Sequence, residues 1–334
     1  VEEFWAEVQA VGRRQLPYRR AAVVCLTQAL QDTWPRARTR VFGSFATGLS
    51  LPGSDVDVVV SLPPVRNGAL QPIDEVGILE GRNSIKETTL QRAARVLGAQ
   101  RWVQPESVKA VESTAVPVVS LVTRPGLLYG GDPGHEAPSL PAVGGARLGE
   151  VRLDVSFEAP SNRGLAAVEL VRELVSRFPQ VVPLTLVLKR FLQQRSLHHA
   201  YTGGLSSYCV IVLATALVQH QAEAAGGGAS AEPLCLGRLL LDFLHFYGSV
   251  FDPAATAVSL RAGDHFPPRA RGDFDPLTVH DPLQSGTNVG SNCFRVRQVQ
   301  AAFAAASDAL EARLAAGPAP SGRQLVEELV LHCR

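Results

Sequence analysis

Two aspartates that alternate along a short valine-rich segment place the strongest constraint on the fold of this chain. The segment DVDVVVSL, residues 55–62, is rich in β-branched residues and predicts a half-buried strand. Because successive side chains on a strand point to opposite faces, Asp55 and Asp57 share one face, and Val56, Val58 and Val60 share the other. Two such carboxylates repel each other unless a cation lies between them. The segment therefore predicts a metal-binding position on the exposed face of a strand.

A Gly-Ser pair lies eleven residues before the first aspartate, and it predicts an anion-binding turn. Gly43 and Ser44 offer backbone N–H groups and a hydroxyl to a phosphate. Hard carboxylate oxygens suit Mg²⁺ (or Mn²⁺), and Mg²⁺ often takes its remaining ligands from substrate phosphates. The two features together point to phosphoryl chemistry on a nucleotide.

A third carboxylate comes from a later alternating segment, VRLDVSF, residues 151–157. Asp154 lies on the polar face of that predicted strand. If this strand neighbours the first one, Asp154 joins Asp55 and Asp57. Three convergent carboxylates can hold two metal ions, of which one activates an attacking hydroxyl and the other neutralises a leaving pyrophosphate.

Five ordered segments carry a resemblance to a known family. They are GSFATGLSLPGSDVDVVV (43–60), GILEGRNSIKET (77–88), VLKRFLQQRSL (187–197), TGGLSSYCV (202–210) and DPLQSGTNVG (281–290). The first resembles the signature of the DNA polymerase β-like nucleotidyltransferases. The full set resembles the non-canonical poly(A) polymerases and terminal uridylyltransferases, in the branch of the TRAMP-complex poly(A) polymerase. The resemblance implies metal-dependent, template-independent addition of nucleotides to RNA 3′ ends.

The resemblance also implies roles for individual residues. Gly43, Ser44, Lys189 and Ser207 would bind the triphosphate, and Tyr208 would stack on the base, which suits any base because each has a π face. Asn162 would touch the ribose, although it could equally cap the helix that follows. Segment 281–290 would recognise the base, through a set of polar residues: Asp281, Gln284, Thr287 and Asn288.

Each of these assignments has a structural alternative. Lys189 could be a surface lysine that extends its ammonium to water, Ser207 could be a helix N-cap, and Tyr208 could be a core residue. Related uridylyltransferases often have a histidine where this chain has Thr287, and that histidine favours uracil and crowds adenine. The threonine in this chain therefore favours ATP over UTP. The arginine that often follows the motif's last glycine is Ser291.

The remaining periodicity predicts an α+β chain with two domains and the substrate cleft between them. The nucleotidyltransferase domain spans 19–160, and a mainly helical central domain spans 161–334, with an N-terminal helix over 1–18 packed on it. Helices are predicted at 2–15, 19–33 and 82–99. Residues 123–149 and 221–232 are predicted loops, and 253–292 are predicted to be irregular.

Composition narrows the setting. No apolar run is long enough to span a membrane. Five scattered cysteines without a CxxC motif argue against zinc and disulfides, and so predict a reducing compartment, nucleus or cytoplasm. Cys209 and Cys235 are predicted to be buried. The chain starts with Val instead of Met, which we interpret as an excised piece of a longer protein. It also contains no Met at all, which is an unusual composition.

The formal net charge of +1 is low for a nucleic-acid-binding protein. RNA affinity must therefore be local, or be supplied by a partner, such as an RNA-binding, helicase or exosome-type protein. The nearest approach to a basic helix face is Arg82, Lys86, Arg92 and Arg95, which fits RNA contact and a solvated surface equally well.

Three functions remain open. The first is addition of AMP from ATP to RNA 3′ ends in RNA processing, surveillance or decay. The second is uridylylation of small RNAs or decay intermediates. The third is a catalytically inactive scaffold that binds RNA. Nucleotidyl transfer to a small molecule ranks last, because it does not require the segment at 281–290.

Overall fold

The computed structural model describes residues 1–63, 87–114, 116–128, 149–159, 162–224 and 235–316. The contacts divide the chain into two compact units. One unit is Gln9–Val168, and the other combines Val1–Val8 with Glu169–Arg334. The sequence-based boundary at 160–161 lies eight residues before the one between Val168 and Glu169.

A five-stranded mixed sheet forms the centre of the unit Gln9–Val168. The strands are β1 (Arg38–Phe42), β2 (Val56–Ser61), β3 (Lys109–Val111), β4 (Val118–Val122) and β5 (Arg152–Phe157). Their spatial order is β1-β2-β5-β4-β3. Strands β2 and β5 pair in parallel, whereas the pairs β1–β2, β4–β5 and β3–β4 are antiparallel. The mixed sheet confirms the predicted α+β class.

The helices of this region are α1 (Glu2–Thr33), α2 (Gly43–Thr47) and α3 (Thr89–Gly98). The predicted break between helices at 2–15 and 19–33 is wrong, because α1 continues through Pro17. A proline inside a helix costs about 3 kcal/mol. Burial of Ala22, Leu26 and Leu30 in the core beyond it offsets that cost.

Helix α3 begins at Thr89, later than the predicted start at residue 82, which lies outside the described residues. Its start is fixed by a capping box. The Thr88 hydroxyl accepts the Gln91 N–H at 3.1 Å, and the Gln91 side chain accepts the Thr88 N–H at 3.3 Å.

The second unit is mainly helical, as the sequence predicts. Its helices are α4 (Gly164–Arg177), α5 (Val181–Gln194), α6 (Ser207–Ala224), α7 (Leu236–His245) and α8 (Val296–Ala315), and a π-helical turn, Phe246–Val250, follows α7. Helix α4 begins five residues before the unit boundary. Helix α6 runs to Ala224, so the predicted loop at 221–232 is wrong over its first four residues. Residues 253–292 are irregular, as predicted, with only isolated bridges among them.

The core of the second unit is built on stacked aromatic rings. Phe191 of α5 and Phe303 of α8 stack with centroids 5.7 Å apart, and Phe243 of α7 meets Phe303 edge-on at 5.5 Å. Cys209 is buried in this core. Cys235 is exposed, which corrects the prediction that it is buried. Among the described residues, no helix combines the length and the apolar character needed to cross a membrane.

Candidate active site

The parallel pair β2–β5 brings two of the three predicted carboxylates together. Asp57 of β2 and Asp154 of β5 are Cα partners in the register of this pair. Adjacent strands lie about 4.8 Å apart, and partners in register point to the same face. Val56 and Val58 are fully buried, whereas both aspartates are only half-buried. The alternation in each segment therefore aims the two carboxylates away from the core and side by side.

The Gly-Ser pair lies against Asp57. Phe42, the last residue of β1, is the register partner of Asp57, and Gly43 follows it directly. Gly43 has a φ of +65°, and a Cβ placed on it would lie 2.0 Å from Oδ2 of Asp57. A glycine is required here because its backbone approaches the carboxylate closely. Gly43 and Ser44 open the five-residue helix α2, which corrects the prediction of a simple turn.

Asp154 is held by a residue that the sequence did not identify. Ser120 of β4 is the register partner of Asp154, and its hydroxyl donates to Oδ1 of Asp154 at 2.5 Å. A hydrogen bond to an ionised carboxylate is stronger than a neutral one and fixes its orientation. Ser120 sits in a strand that carries no motif, so only the sheet order reveals it.

Asp55 immediately precedes β2 and lies near a buried arginine of α1. Arg19 is 5% exposed. Burial lowers the pKa of Arg19, and the nearby Asp55 carboxylate opposes that shift. Among the described residues, no group of three or more His, Cys, Asp or Glu side chains is arranged to hold a metal ion. The register thus pairs Asp57 with Asp154, and convergence of Asp55 on that pair remains a prediction.

Arg19 organises the turn that leads into β2. It donates to Oγ of Ser50 at 3.0 Å, and to the carbonyl oxygens of Leu51 at 3.4 Å and Ser54 at 3.3 Å. Its guanidinium also lies 5.3 Å from the ring centroid of Phe45 in α2. One side chain therefore links helix α2 with the turn before Asp55. Sequence reasoning missed Arg19 because it lies 36 residues earlier, in an ordinary amphipathic helix.

The donor set fits a hard divalent cation. Asp57 and Asp154 offer carboxylate oxygens on one face of the sheet, and Mg²⁺ is bound in proteins by one or two carboxylates together with waters and substrate phosphates. Because Gly43 has no side chain, its backbone lies directly against the Asp57 carboxylate. Both features suit a metal that binds together with a nucleotide.

Asn162 caps a helix. Its Oδ1 accepts the N–H of Gly164, the first residue of α4, at 3.1 Å, and its Nδ2 donates to Oγ of Ser156 at 3.1 Å. Both ends of the amide are therefore engaged within the unit. This arrangement favours the capping alternative over ribose contact.

In the second unit, Lys189 and Ser207 lie on helices α5 and α6. Lys189 is 8% exposed, so it is not a surface lysine. Ser207 is exposed in the first turn of α6, and the capping role belongs to its neighbour Ser206, whose Oγ accepts the N–H of Cys209 at 3.1 Å. The capping hydrogen bond is therefore made by Ser206 and does not involve the hydroxyl of Ser207.

Tyr208 is held by Asp281 across the unit. The Tyr208 hydroxyl donates to Oδ1 of Asp281 at 3.0 Å, and that oxygen also accepts the N–H of Leu283 at 2.9 Å. Burial raises the pKa of Tyr208, and the Asp281 carboxylate raises it further. Tyr208 packs on the core but remains half-buried, so part of its ring faces outward.

The segment 281–290 forms a closed loop that is held by hydrogen bonds from one of its own side chains. The Asp281 N–H donates to the carbonyl of Thr287 at 2.9 Å, and Gln284 is exposed on the loop. That side chain belongs to Asn288. Its Oδ1 accepts the N–H groups of Val279 and Gly290, each at 2.8 Å. Its Nδ2 donates to Asp275 and to the Leu277 carbonyl, also at 2.8 Å. The Asn288 amide therefore holds the loop rather than facing a ligand.

The predicted basic helix face is only partly described, because Arg82 and Lys86 lie outside the described residues. Arg95 forms a two-pronged ion pair with Glu87 at 2.9 and 3.0 Å, which lowers the pKa of that carboxyl. The Arg92 guanidinium lies 5.3 Å from the ring centroid of Trp34. These contacts favour a structural role for both arginines.

Comparison with known proteins agrees with the fold and the motifs. The family described as poly(A) RNA polymerase, mitochondrial-like, central palm domain matches residues 2–128, and the Cid1 family poly A polymerase description matches residues 235–286. Poly(A) RNA polymerase protein 2 of Saccharomyces cerevisiae is 27% identical over 321 residues, which cover 94% of this chain and 47% of that protein. The inactive non-canonical poly(A) RNA polymerase protein Trf4-2 of Drosophila melanogaster is 24% identical over 315 residues, 92% of this chain and 66% of that protein.

Solved structures match along almost the whole chain. The polymerase core of TRAMP, an RNA surveillance complex, superposes with a TM-score of 0.69 at 25% identity, covering 96% of this chain and 88% of that one. The Cid1 poly(U) polymerase bound to MgATP has a TM-score of 0.65 at 20% identity, covering 97% and 98% of the two chains, and so shows the fold alone.

The fold is that of the DNA polymerase β-like nucleotidyltransferase superfamily. Within it, the chain belongs to the family of non-canonical poly(A) polymerases and terminal uridylyltransferases. It spans less than half the length of the Saccharomyces cerevisiae relative.

Proposed function

We propose that this protein adds AMP residues from ATP to RNA 3′ ends without a template, in RNA processing, surveillance or decay. The observation that carries the proposal is the register of Asp57 with Asp154 beside Gly43. It gives two carboxylates on one face of the sheet, with the Gly43 backbone close to one of them. The relatives named as poly(A) RNA polymerases support the same chemistry.

The reaction requires positioning and charge neutralisation more than covalent catalysis. The RNA 3′-hydroxyl forms a bond to the α-phosphorus as the bond to pyrophosphate breaks, and the hydroxyl proton passes to water. Asp55, Asp57 and Asp154 would hold Mg²⁺ (or Mn²⁺). When bound, the cation lowers the pKa of the attacking hydroxyl and neutralises the departing pyrophosphate.

The chain's own residues would hold the nucleotide. In the first unit, the backbone at Gly43 and the hydroxyl of Ser44 bind phosphate oxygens. In the second, Lys189 and Ser207 bind the triphosphate, and the outward part of the Tyr208 ring stacks on the base. Asp281 fixes that ring through the tyrosine hydroxyl, so the base meets a preset surface.

The preference for ATP rests on Thr287. A threonine lacks both the bulk and the ring nitrogens of the histidine that often occupies this position in uridylyltransferases. It therefore leaves room for a purine. The alternative is UMP addition, which the resemblance of the motifs to those of terminal uridylyltransferases implies. Incubation of the protein and an oligonucleotide with each of the four NTPs separately decides between them, and robust extension by UTP alone would overturn the ATP assignment.

Catalysis itself is tested by Asp57→Asn. This change removes a charge from a half-buried position and keeps the side-chain volume, so we expect extension to fall by about 10³-fold or more while the unfolding transition stays two-state. Near-normal extension by the variant would contradict the carboxylate assignment. A wild-type protein that does not extend RNA with Mg²⁺ or Mn²⁺ would favour a catalytically inactive RNA-binding scaffold, and the Drosophila melanogaster relative is likewise named as inactive.

A further inference from the structure

The low net charge of this chain conceals two segments without any acidic residue. Residues 174–222 and 282–307 contain no Asp or Glu. Their cationic residues are Arg177, Lys189, Arg190, Arg195, Arg295 and Arg297. In a chain of formal charge +1, these two stretches of the second unit therefore carry a local excess of positive charge.

The two segments meet at the loop between α5 and α6. The backbone N–H of Arg295 donates to the carbonyl of Gly203 at 2.9 Å, and the Arg295 guanidinium donates to the carbonyl of Ser196 at 2.9 Å. Phe294 packs on Gly203 so closely that a Cβ there would lie 2.3 Å from the ring. The loop between α5 and α6 and the turn before α8 therefore form one continuous surface.

This surface displays aromatic rings to solvent. Tyr201 is 82% exposed and Phe294 is 65% exposed. His199 lies next to Tyr201, with ring centroids 5.5 Å apart, and is itself exposed. We call the set His199, Tyr201, Phe294, Arg295 and Arg297 the aromatic–basic surface.

The loop that carries Tyr201 is rigid. The N–H of Leu205 donates to the carbonyl of Leu197 at 2.9 Å, and the N–H of Gly204 donates to that of His199 at 2.9 Å. A Cβ on Gly204 would lie 2.2 Å from the Leu197 carbonyl oxygen, so the chain closes tightly on itself. Rings on a fixed loop lose little entropy when a ligand stacks on them.

The cations of the surface bond to neutral groups. Arg297 is exposed and donates to the side chain of Gln300 at 3.4 Å, and Arg295 donates to that of Gln298 at 2.7 Å. Their charge is thus available to a polyanion. Exposed aromatic rings interleaved with such cations are the features of a platform for single-stranded nucleic acid, where bases stack and phosphates pair with arginine.

We propose that the aromatic–basic surface binds single-stranded RNA just upstream of its 3′ end. The inference deepens the proposed function, on which it rests, by naming where this chain holds its RNA. The surface is close to the proposed nucleotide-binding residues of the same unit. Tyr201 lies six residues before Ser207 in the sequence. Burial lowers the pKa of His198, which precedes His199, and the nearby His199 and Lys189 lower it further.

The test measures binding to a fluorescein-labelled single-stranded oligoadenylate by anisotropy. We expect Tyr201→Ala and Phe294→Ala each to raise the Kd by about 10-fold or more, because base stacking on an aromatic side chain is a large part of such affinity. Phe274→Ala is the matched control, since Phe274 is 94% exposed but lies outside the surface. An equal effect of all three substitutions, or no effect of the first two, overturns the proposal.

Charge is tested by salt dependence. Arg297→Gln should flatten the slope of log Kd against log salt by about 0.7, the value for one phosphate contact on a single strand. Arg271→Gln, at an exposed arginine elsewhere in the unit, should leave the slope unchanged. An unchanged slope in Arg297→Gln would remove the phosphate contact from the proposal.

Kinetics separates this proposal from the proposed function. In extension assays Tyr201→Ala should raise the KM for RNA about 10-fold and leave kcat and the KM for ATP unchanged, which a folding defect would not do. If the wild type fails to extend RNA but binds it through Tyr201, the surface stands and the enzyme assignment falls. If it extends RNA and Tyr201→Ala behaves as wild type, the enzyme assignment stands and the surface falls.

Discussion

Gly43 approaches Asp57 so closely that a methyl group on its Cα would lie 2.0 Å from the Asp57 carboxylate oxygen. Asp57 in turn is the register partner of Asp154. Gly43, Asp57 and Asp154 therefore come from three separate segments and meet on one face of the sheet. Side-chain size at position 43 controls where the Asp57 carboxylate can lie.

Gly43→Ala should reduce catalysis far more than stability. The new Cβ displaces the Asp57 carboxylate, and a displacement of about 1 Å in a catalytic group can cost about 100-fold in rate. The positive φ of Gly43 adds a backbone cost of about 1 to 2 kcal/mol. The rate of RNA extension and the free energy of unfolding in urea measure the two effects.

Gly48→Ala is the control for that substitution. Gly48 has a φ of +77°, so it carries the same kind of backbone cost, but nothing lies within 4 Å of a Cβ there. We expect similar destabilisation with extension close to that of the wild type. If both variants lose activity equally, backbone strain in α2 is the cause rather than contact with Asp57.

The strands of the site could be predicted from the sequence, whereas their supports could not. Alternation in 55–62 and 151–157 reports burial on one face, and that pattern survives in β2 and β5 because the valines pack in the core. Ser120 and Arg19 act through tertiary contacts with Asp154 and with the turn at 50–54. Neither contact leaves a local pattern in the sequence.

Motif resemblance also assigned ligand contacts to residues that the fold uses internally. The Asn288 side-chain amide forms four hydrogen bonds within the protein. The Asn162 side-chain amide caps helix α4 and donates to the Ser156 hydroxyl. An asparagine within a motif can be required by the loop rather than by the ligand. Only the hydrogen-bond partners separate these cases.

Arg19→Gln should weaken both the fold and metal-dependent activity. The change leaves the carbonyl oxygens of Leu51 and Ser54 without their donor and removes the cation near Asp55, so we expect a loss of about 2 to 4 kcal/mol in the free energy of unfolding. The turn before Asp55 then moves, and the Mg²⁺ concentration for half-maximal extension should rise. Urea unfolding and a Mg²⁺ titration of extension measure the two effects.

Two further variants make the Arg19 prediction specific. Arg19→Lys keeps the charge but lacks the planar fork, so it should restore part of the stability and little of the Mg²⁺ response. Arg20→Gln changes the exposed neighbouring arginine and should leave both measurements as in the wild type. A normal Mg²⁺ titration in Arg19→Gln would show that Arg19 serves stability alone.

The support beneath the recognition loop should be sensitive to acid. Arg269 donates to Oδ2 of Asp273 at 3.1 Å, and the Thr278 hydroxyl donates to the same carboxylate. These hydrogen bonds lower the pKa of Asp273, and the bond from Arg269 has the largest effect. Arg269 also donates to the carbonyl of Asp275, the residue whose carboxylate accepts the amide of Asn288. Asp273 thus supports the segment 281–290.

A carboxyl whose pKa is lower in the folded state than in the unfolded state stabilises the fold above its unfolded pKa, which is about 3.9 for Asp. That stabilisation is lost as the pH falls toward the folded pKa. Asp273→Asn should therefore be less stable than the wild type at pH 7, and the difference should shrink as the pH falls below about 4. Urea unfolding of both proteins across this range measures the difference in their free energy of unfolding.

Ser259→Ala is the control. It removes a neutral acceptor of the Arg261 N–H at 3.1 Å, so it should differ in stability from the wild type by the same amount at every pH. A constant difference for Asp273→Asn would mean that its carboxyl titrates alike in the folded and unfolded chains.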